Sequence, residues 1–152
     1  MDSRPIANLT TYSHYSLKGE KRMKHFYRWE DFPQREITYL QGLPEASKLL
    51  VRIFSTERMM VTKIDAKKGA GVGRHFHEAE QILFVLKGKM KVHVGDEPPR
   101  IIGPGEITIC PANCPHGGEW LQDGEALEVV SPIRLDNFVG YTIPHTFFEE
   151  KK

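Results

Sequence analysis

The feature that most constrains what this chain can fold into is a repeated pattern of short runs. From Glu36 onward, apolar or alternating segments follow one another, each closed by turn residues. "KMKVHVGD" shows it most clearly: Met90, Val92 and Val94 alternate with Lys89, Lys91 and His93, so the apolar set takes one face of a strand. His93 is thereby expected at the surface. "ITYLQG", "KLLVRIFS", "RMMVTKID", "QILFVLKG", "EITICP", "EALEVVSP" and "NFVGYTIP" read the same way. Gly95-Asp96, the Glu97-Pro98-Pro99 that follows, and Gly103-Pro104-Gly105 break the runs as turns. No stretch holds an apolar period of about 3.6 residues over three turns, although "PEASKLL" could form a single helical turn. About eight short strands with turns every 8 to 12 residues predict an all-β sandwich or barrel.

At 152 residues the chain reads as one domain able to bury a core without disulfides or a structural metal, so any metal is expected to be functional. The net charge of +1 offers no field to gather nucleic acid and favours a small neutral or anionic ligand. With two cysteines, Cys110 and Cys114, and no secretory pattern, the expected location is cytoplasmic with reduced thiols. No apolar run reaches the roughly 18 to 20 residues of a membrane span. Residues 1–35 are polar and irregular and are expected to form an arm, with a natural start at Met23 as one option. Basic residues there alternate with Phe26, Tyr27 and Trp29, but the cluster is short and carries no binding motif. Its aromatics are expected to pack on the barrel or on a second subunit.

"GVGRHFHEAEQILFVLKG" carries the chemistry. His75 and His77 stand two apart, which on an extended strand sends both imidazoles from one face toward one ion. Imidazole suits divalent transition metals. A second segment, "GEITICPANCPHGGEW", adds Gly105, Pro111 and His116. Cys110 and Cys114 lack a second pair and are read as core or rim thiols. His14, His25 and His145 have no spacing partner and are given ordinary roles.

The two segments together resemble the paired motifs of the cupin superfamily. The first motif's spacing is met by Gly69, His75, His77, Gln81 and Gly88, with Gln where the family most often has Glu. The second is met by Gly105, Pro111 and His116, with Asn113 in place of a Gly and Trp120 in place of a final Asn. Asn is tolerable at 113 because it also enters left-handed turns. The resemblance covers roughly residues 40–140 and implies a double-stranded β-helix, the jelly-roll barrel. On that reading residues 36–145 are the cupin domain and 146–152 a tail.

The resemblance further implies a divalent transition metal (Fe, Mn, Ni, Co or Zn) held by His75, His77, Gln81 and His116. Spacing favours Gln81 over the better-charged Glu80, and alternation agrees, since Gln81, Leu83 and Val85 share the interior face and Glu80 points outward. Glu78 and Glu80 are then turn and surface carboxylates. Cupins of pectin degradation that linearise unsaturated uronates, and an isomerase of bacilysin synthesis, also carry Gln there. "LEVVSPIRLDNF" is similar to a substrate-lining stretch of the uronate-linearising cupins, which implies Glu128 as a proton-moving carboxyl and Arg134 as a carboxylate clamp. The plain alternatives are a polar strand residue and a surface ion pair.

The function implied is Lewis-acid isomerisation, lysis or cyclisation of a carbonyl or carboxylate small molecule, uronate-like or polyketide-like. The alternatives are an iron-dependent dioxygenase and a non-catalytic metal- or sugar-binding sensor. The expected partners are a small-molecule substrate and a second copy in a homodimer, with no nucleic acid and no membrane.

Overall fold

The computed structural model describes residues 25–36 and 49–134. Expectations for "ITYLQG", "NFVGYTIP", His14, His145, the tail and all but the end of "PEASKLL" lie outside those residues. Among the described residues there are ten strands: β1 (Arg35–Glu36), β2 (Leu49–Ser55), β3 (Met60–Ala66), β4 (Gly71–His75), β5 (Glu80–Lys87), β6 (Met90–Val94), β7 (Arg100–Ile102), β8 (Ile107–Cys110), β9 (His116–Trp120) and β10 (Gly124–Ser131). They form two antiparallel sheets, ordered β1-β2-β3-β10-β5-β8 and β4-β9-β6-β7, the jelly-roll arrangement expected. Strands β4, β7 and β9 fall outside the alternating apolar runs of the sequence. "GVGRH" and "HGGEW" are rich in glycine, which weakens any propensity signal, and pairing with neighbours decides their conformation.

Alternation sets the interior. On β5, Gln81, Leu83 and Val85 are buried, and on β10 Ala126 and Val130 are fully so. Registry aligns these into rows across the six-stranded sheet: Met60, Val130, Gln81 and Cys110 in one, and Thr62, Glu128, Leu83 and Thr108 in the next. One apolar cluster, around Val85, Met90, Leu49 and Trp120, fills the deep end of the barrel. A second, of Val51, Ile53, Met60, Ala79 and Val130, walls the other end, each large side chain contributing about 1.5–3 kcal/mol by its burial.

Trp120, the residue that departs from the family's Asn, is 2% exposed and closes the deep end. Gly124 makes room for it, since a Cβ there would lie 2.0 Å from the indole. Gly69, Gly88 and Gly105 all have positive φ, so the motif glycines are turn residues. Asn113 is the one described non-glycine residue with positive φ, at 60°, as its substitution for Gly requires.

Of the described arm residues, Trp29 and Phe32 pack on their own barrel, whereas Phe26, also expected to pack, is 88% exposed. Phe32 stacks on Phe54 at 5.3 Å between ring centroids, Trp29 approaches the same ring at 5.6 Å, and Arg52 donates to the Phe32 carbonyl. The arm ends in β1, which pairs with β2.

His93 corrects the simple alternation argument. It faces away from the interior, but its ring lies over Gly117, whose missing Cβ would sit 2.9 Å from His93 Nε2, so this nitrogen is buried rather than solvated. A glycine opposite a ring on a sheet's outer face turns a surface position into a packed one.

Candidate metal centre

Pairing brings the two histidine segments together. His75 ends β4 and His116 begins β9, and the two are direct partners in the ladder, with ring centroids 4.5 Å apart. His77 lies beyond the end of β4, on the connection to β5, and not on one strand with His75 as the spacing suggested. That connection is fixed by the Asn113 amide, which donates to the His77 carbonyl at 2.7 Å. The His77 ring stands 5.5 Å from that of His75 and 4.7 Å from that of His116. Gln81 enters from the facing sheet, its Oε1 3.2 Å from His77 Nε2. Each imidazole can offer a nitrogen such that all three lie within 4.8 Å of one another.

Hydrogen bonding decides which nitrogen each ring offers. His75 Nδ1 lies 2.9 Å from the Gly73 carbonyl, His77 Nδ1 2.7 Å from that of Ala79, and His116 Nδ1 2.8 Å from that of Cys114. A carbonyl oxygen only accepts, so each Nδ1 must carry the proton and donate. Each neutral ring therefore presents a bare Nε2 lone pair to the common space. His116 Nε2 is buried with no hydrogen-bond partner. With Gln81 Oε1, four lone pairs converge. An amide turned the other way could satisfy one of the nitrogens and would leave the remainder unpaired. Buried acceptors facing one another are costly unless a cation lies between them, and imidazoles held by carbonyls at Nδ1 are arranged as metal ligands usually are. The residues fit a divalent transition metal.

Electrostatics favour the neutral form of His116 and His77. Burial, first of all, pushes the His116 imidazolium down to about 4, with the charges of His75, His77 and Arg134 acting the same way against the Cys114 carbonyl. His77 is lowered too, mainly by burial and then by Arg134. Ligation thus displaces few protons near neutral pH.

Glu128 lies one row deeper than Gln81 and diagonal to it, on the interior side of β10. Burial raises its carboxyl to about 6, against the opposing pull of the Arg134 charge and a hydrogen bond from the Thr62 hydroxyl. Thr62 is 3% exposed and was not singled out in the sequence; only the registry Thr62 to Glu128 reveals it. The Arg134 charge acts on Glu128, His77 and His116 alike. Glu78 and Glu80 are exposed, as expected of turn and surface carboxylates. Cys110 is buried in the Gln81 row, and its thiol is pushed up to about 12, chiefly by burial. Cys114 is half-buried at the rim and contributes its carbonyl to His116.

A jelly-roll barrel whose two sheets together present three imidazoles and an amide is a candidate metal-binding barrel. Residues 63–132 match the family model of the cupin domain, as the two histidine motifs implied. Among solved structures, an RmlC-like cupin from Shewanella frigidimarina NCIMB 400 aligns with a TM-score of 0.65 at 24% identity, over 78% of this chain and 99% of that one. KdgF from Halomonas sp. aligns at 0.64 and 23% identity, over 76% and 99%. Oxalate decarboxylase of Bacillus subtilis, described with Mn(II) centres, aligns at 0.60 and 18% identity, over 72% of this chain and 30% of that one. At these identities the likeness is one of fold. No curated protein matches the chain. Among the described residues, no helix is long and apolar enough to cross a membrane.

Proposed function

We propose that the protein is a metal-dependent enzyme of small-molecule metabolism, an isomerase, ring-opening lyase or cyclase acting on a carbonyl or carboxylate substrate, uronate-like or polyketide-like. The observation that carries this reading is the convergence of the three bare Nε2 atoms and Gln81 Oε1 beside a buried carboxyl and an arginine. A divalent ion bound there would supply Lewis acidity toward a substrate oxygen, and a neutral donor set leaves its charge undiminished.

The chain's own groups do the remaining work. Arg134 attracts and orients a substrate carboxylate. Glu128, raised to about 6, is mostly ionised at neutral pH yet close enough to it to accept a proton and return it. Thr62 holds the carboxyl in place, and Leu83 and Val130, its neighbours on the interior face, keep water away. The fold likeness to KdgF and the Gln at position 81 support the same chemistry.

The test is anaerobic incubation of the metal-analysed protein with an unsaturated uronate and a panel of 2-oxo acids, followed by NMR. Turnover without oxygen, abolished by Glu128→Gln at unchanged metal content, is the expected result. Oxygen consumption by the iron-loaded protein would transfer the site to dioxygenation. Equal ligand binding with and without metal, and no turnover, would make it a binding protein.

A further inference from the structure

We propose that Gln81 is a two-position latch: toward a bound ion it offers its amide oxygen, and in the ion-free protein the amide turns over and donates to His77. The proposal rests on the metal reading of the site and not on any reaction catalysed there.

The proton on His77 carries the argument. Its Nδ1 lies 2.7 Å from the Ala79 carbonyl, which only accepts, so in the neutral ring Nδ1 donates and Nε2 keeps a lone pair. Gln81 Oε1 stands 3.2 Å from that Nε2. Two acceptors facing each other inside a barrel are held there only by a cation between them. Turned over, the amide puts its nitrogen in the same place, and the contact becomes an N–H to N hydrogen bond. Amide oxygen and nitrogen differ little in size, so the groups around them decide which faces which way.

One distance suits both positions. Two donor atoms each about 2.1 Å from an ion, at an angle between a right angle and a tetrahedral one, lie roughly 3.0–3.4 Å apart. The terminal torsion of glutamine is broad and two-fold, so half a turn exchanges the two atoms while the rest of the side chain stays put. Val130 and Cys110, the partners of Gln81 on the flanking strands, are both buried, so the row is packed and the amide turns in place.

A carboxylate at this position has no N–H to give and could pair with His77 only by carrying a proton. The amide exchanges the ion for an internal hydrogen bond with no proton gained or lost at position 81. His116 Nε2, buried without a hydrogen-bond partner, has no such relief, so a cation still stabilises the site. The centre is thereby built to release and rebind its ion while His77 stays in place.

Heteronuclear NMR on the isotopically labelled full-length chain tests this at slightly alkaline pH, first after stripping with a chelator and then with Zn(II) added. The stripped protein is expected to show a scalar coupling across the N–H to N hydrogen bond from Gln81 to His77. One equivalent of Zn(II) removes the coupling and chelation restores it. Gln81→Met, similar in volume but without the donor, is expected to shift the His77 Nε2 resonance of the stripped protein well beyond those of His75 and His116, and to bind Zn(II) about tenfold more weakly. A stripped protein without the coupling, or a coupling that persists under Zn(II), would overturn the proposal. A coupling in a protein that binds no Zn(II) would overturn the latch and the metal reading together. A latch that behaves as expected in a protein without turnover would leave this proposal standing and sink only the proposed reaction.

Discussion

Replacing Glu128 by Gln isolates what it costs to keep a carboxylate inside this barrel. The carboxyl is raised from 4.5 to about 6, chiefly by burial. The folded state therefore holds the proton more tightly than the unfolded state does. Between about pH 4.5 and 6 the unfolded chain has already lost a proton that the folded chain retains, so stability falls as pH rises through that window. The loss is complete above the folded value and amounts to roughly 2 kcal/mol, from about 1.4 kcal/mol per unit over the interval. Glutamine keeps the shape and can still accept from Thr62, but it has no charge to bury.

Thermal unfolding of the metal-free proteins from pH 4 to 8 measures the difference. The two are expected to melt together at pH 4, and the Gln variant to melt about 4–8 °C higher at pH 8, taking roughly 2–4 °C per kcal/mol for a chain of this size. An offset that does not change with pH, or a variant less stable at pH 8, would refute the argument that burial dominates the Arg134 and Thr62 contributions. The same substitution is expected to abolish turnover, so stability and activity should move in opposite directions.

Two further outcomes follow from the site and its turns. His116→Ala removes one of the proposed ligands and is expected to lower bound metal at least tenfold, whereas Glu80→Ala leaves it unchanged; elemental analysis after dialysis reads both, and a metal-free Glu80→Ala protein would refute the placement of Gln81. Gly88→Ala forces a side chain onto φ +80° and 2.5 Å from the Asp123 carbonyl, which should cost about 3 kcal/mol or more, while Asn113→Gly at φ 60° should change stability by less than about 1 kcal/mol; urea unfolding of both separates backbone strain from simple loss of a side chain.

Much of the site was legible because β-strands write their two faces with a period of two. Gln81 and Glu80 are adjacent, and alternation alone sends one inward and the other to solvent, as their burial shows. The same rule places Glu128 on the interior face with Ala126 and Val130. What local sequence does not contain is registry. The pairing of His75 with His116, of Thr62 with Glu128, and of His93 with Gly117 depends on how strands distant in the chain are aligned, and the last of these turns an expected surface residue into a packed one. Glycine-rich strands are hard to read for a related reason, since β4 and β9 are held extended by their neighbours more than by their own side chains.

Registry also explains why a neutral amide at position 81 and an acid at position 128 belong to one design. Each places a group in adjacent rows of the same sheet, one against the three imidazoles and one just below them. A carboxylate at 81 would offset part of a bound ion's charge and stand diagonal to the Glu128 carboxylate, raising the cost of ionising either. With an amide there, the negative charge of the interior is concentrated at Glu128, where a proton can be taken up and released, and the positive charge is left to the ion and Arg134. Gln81→Glu is therefore expected to hold metal more tightly while raising the Glu128 carboxyl further. In an enzyme of the proposed kind, its pH–rate profile would shift to higher pH as its metal affinity rises, and a profile unchanged from wild type would show that the two rows do not communicate.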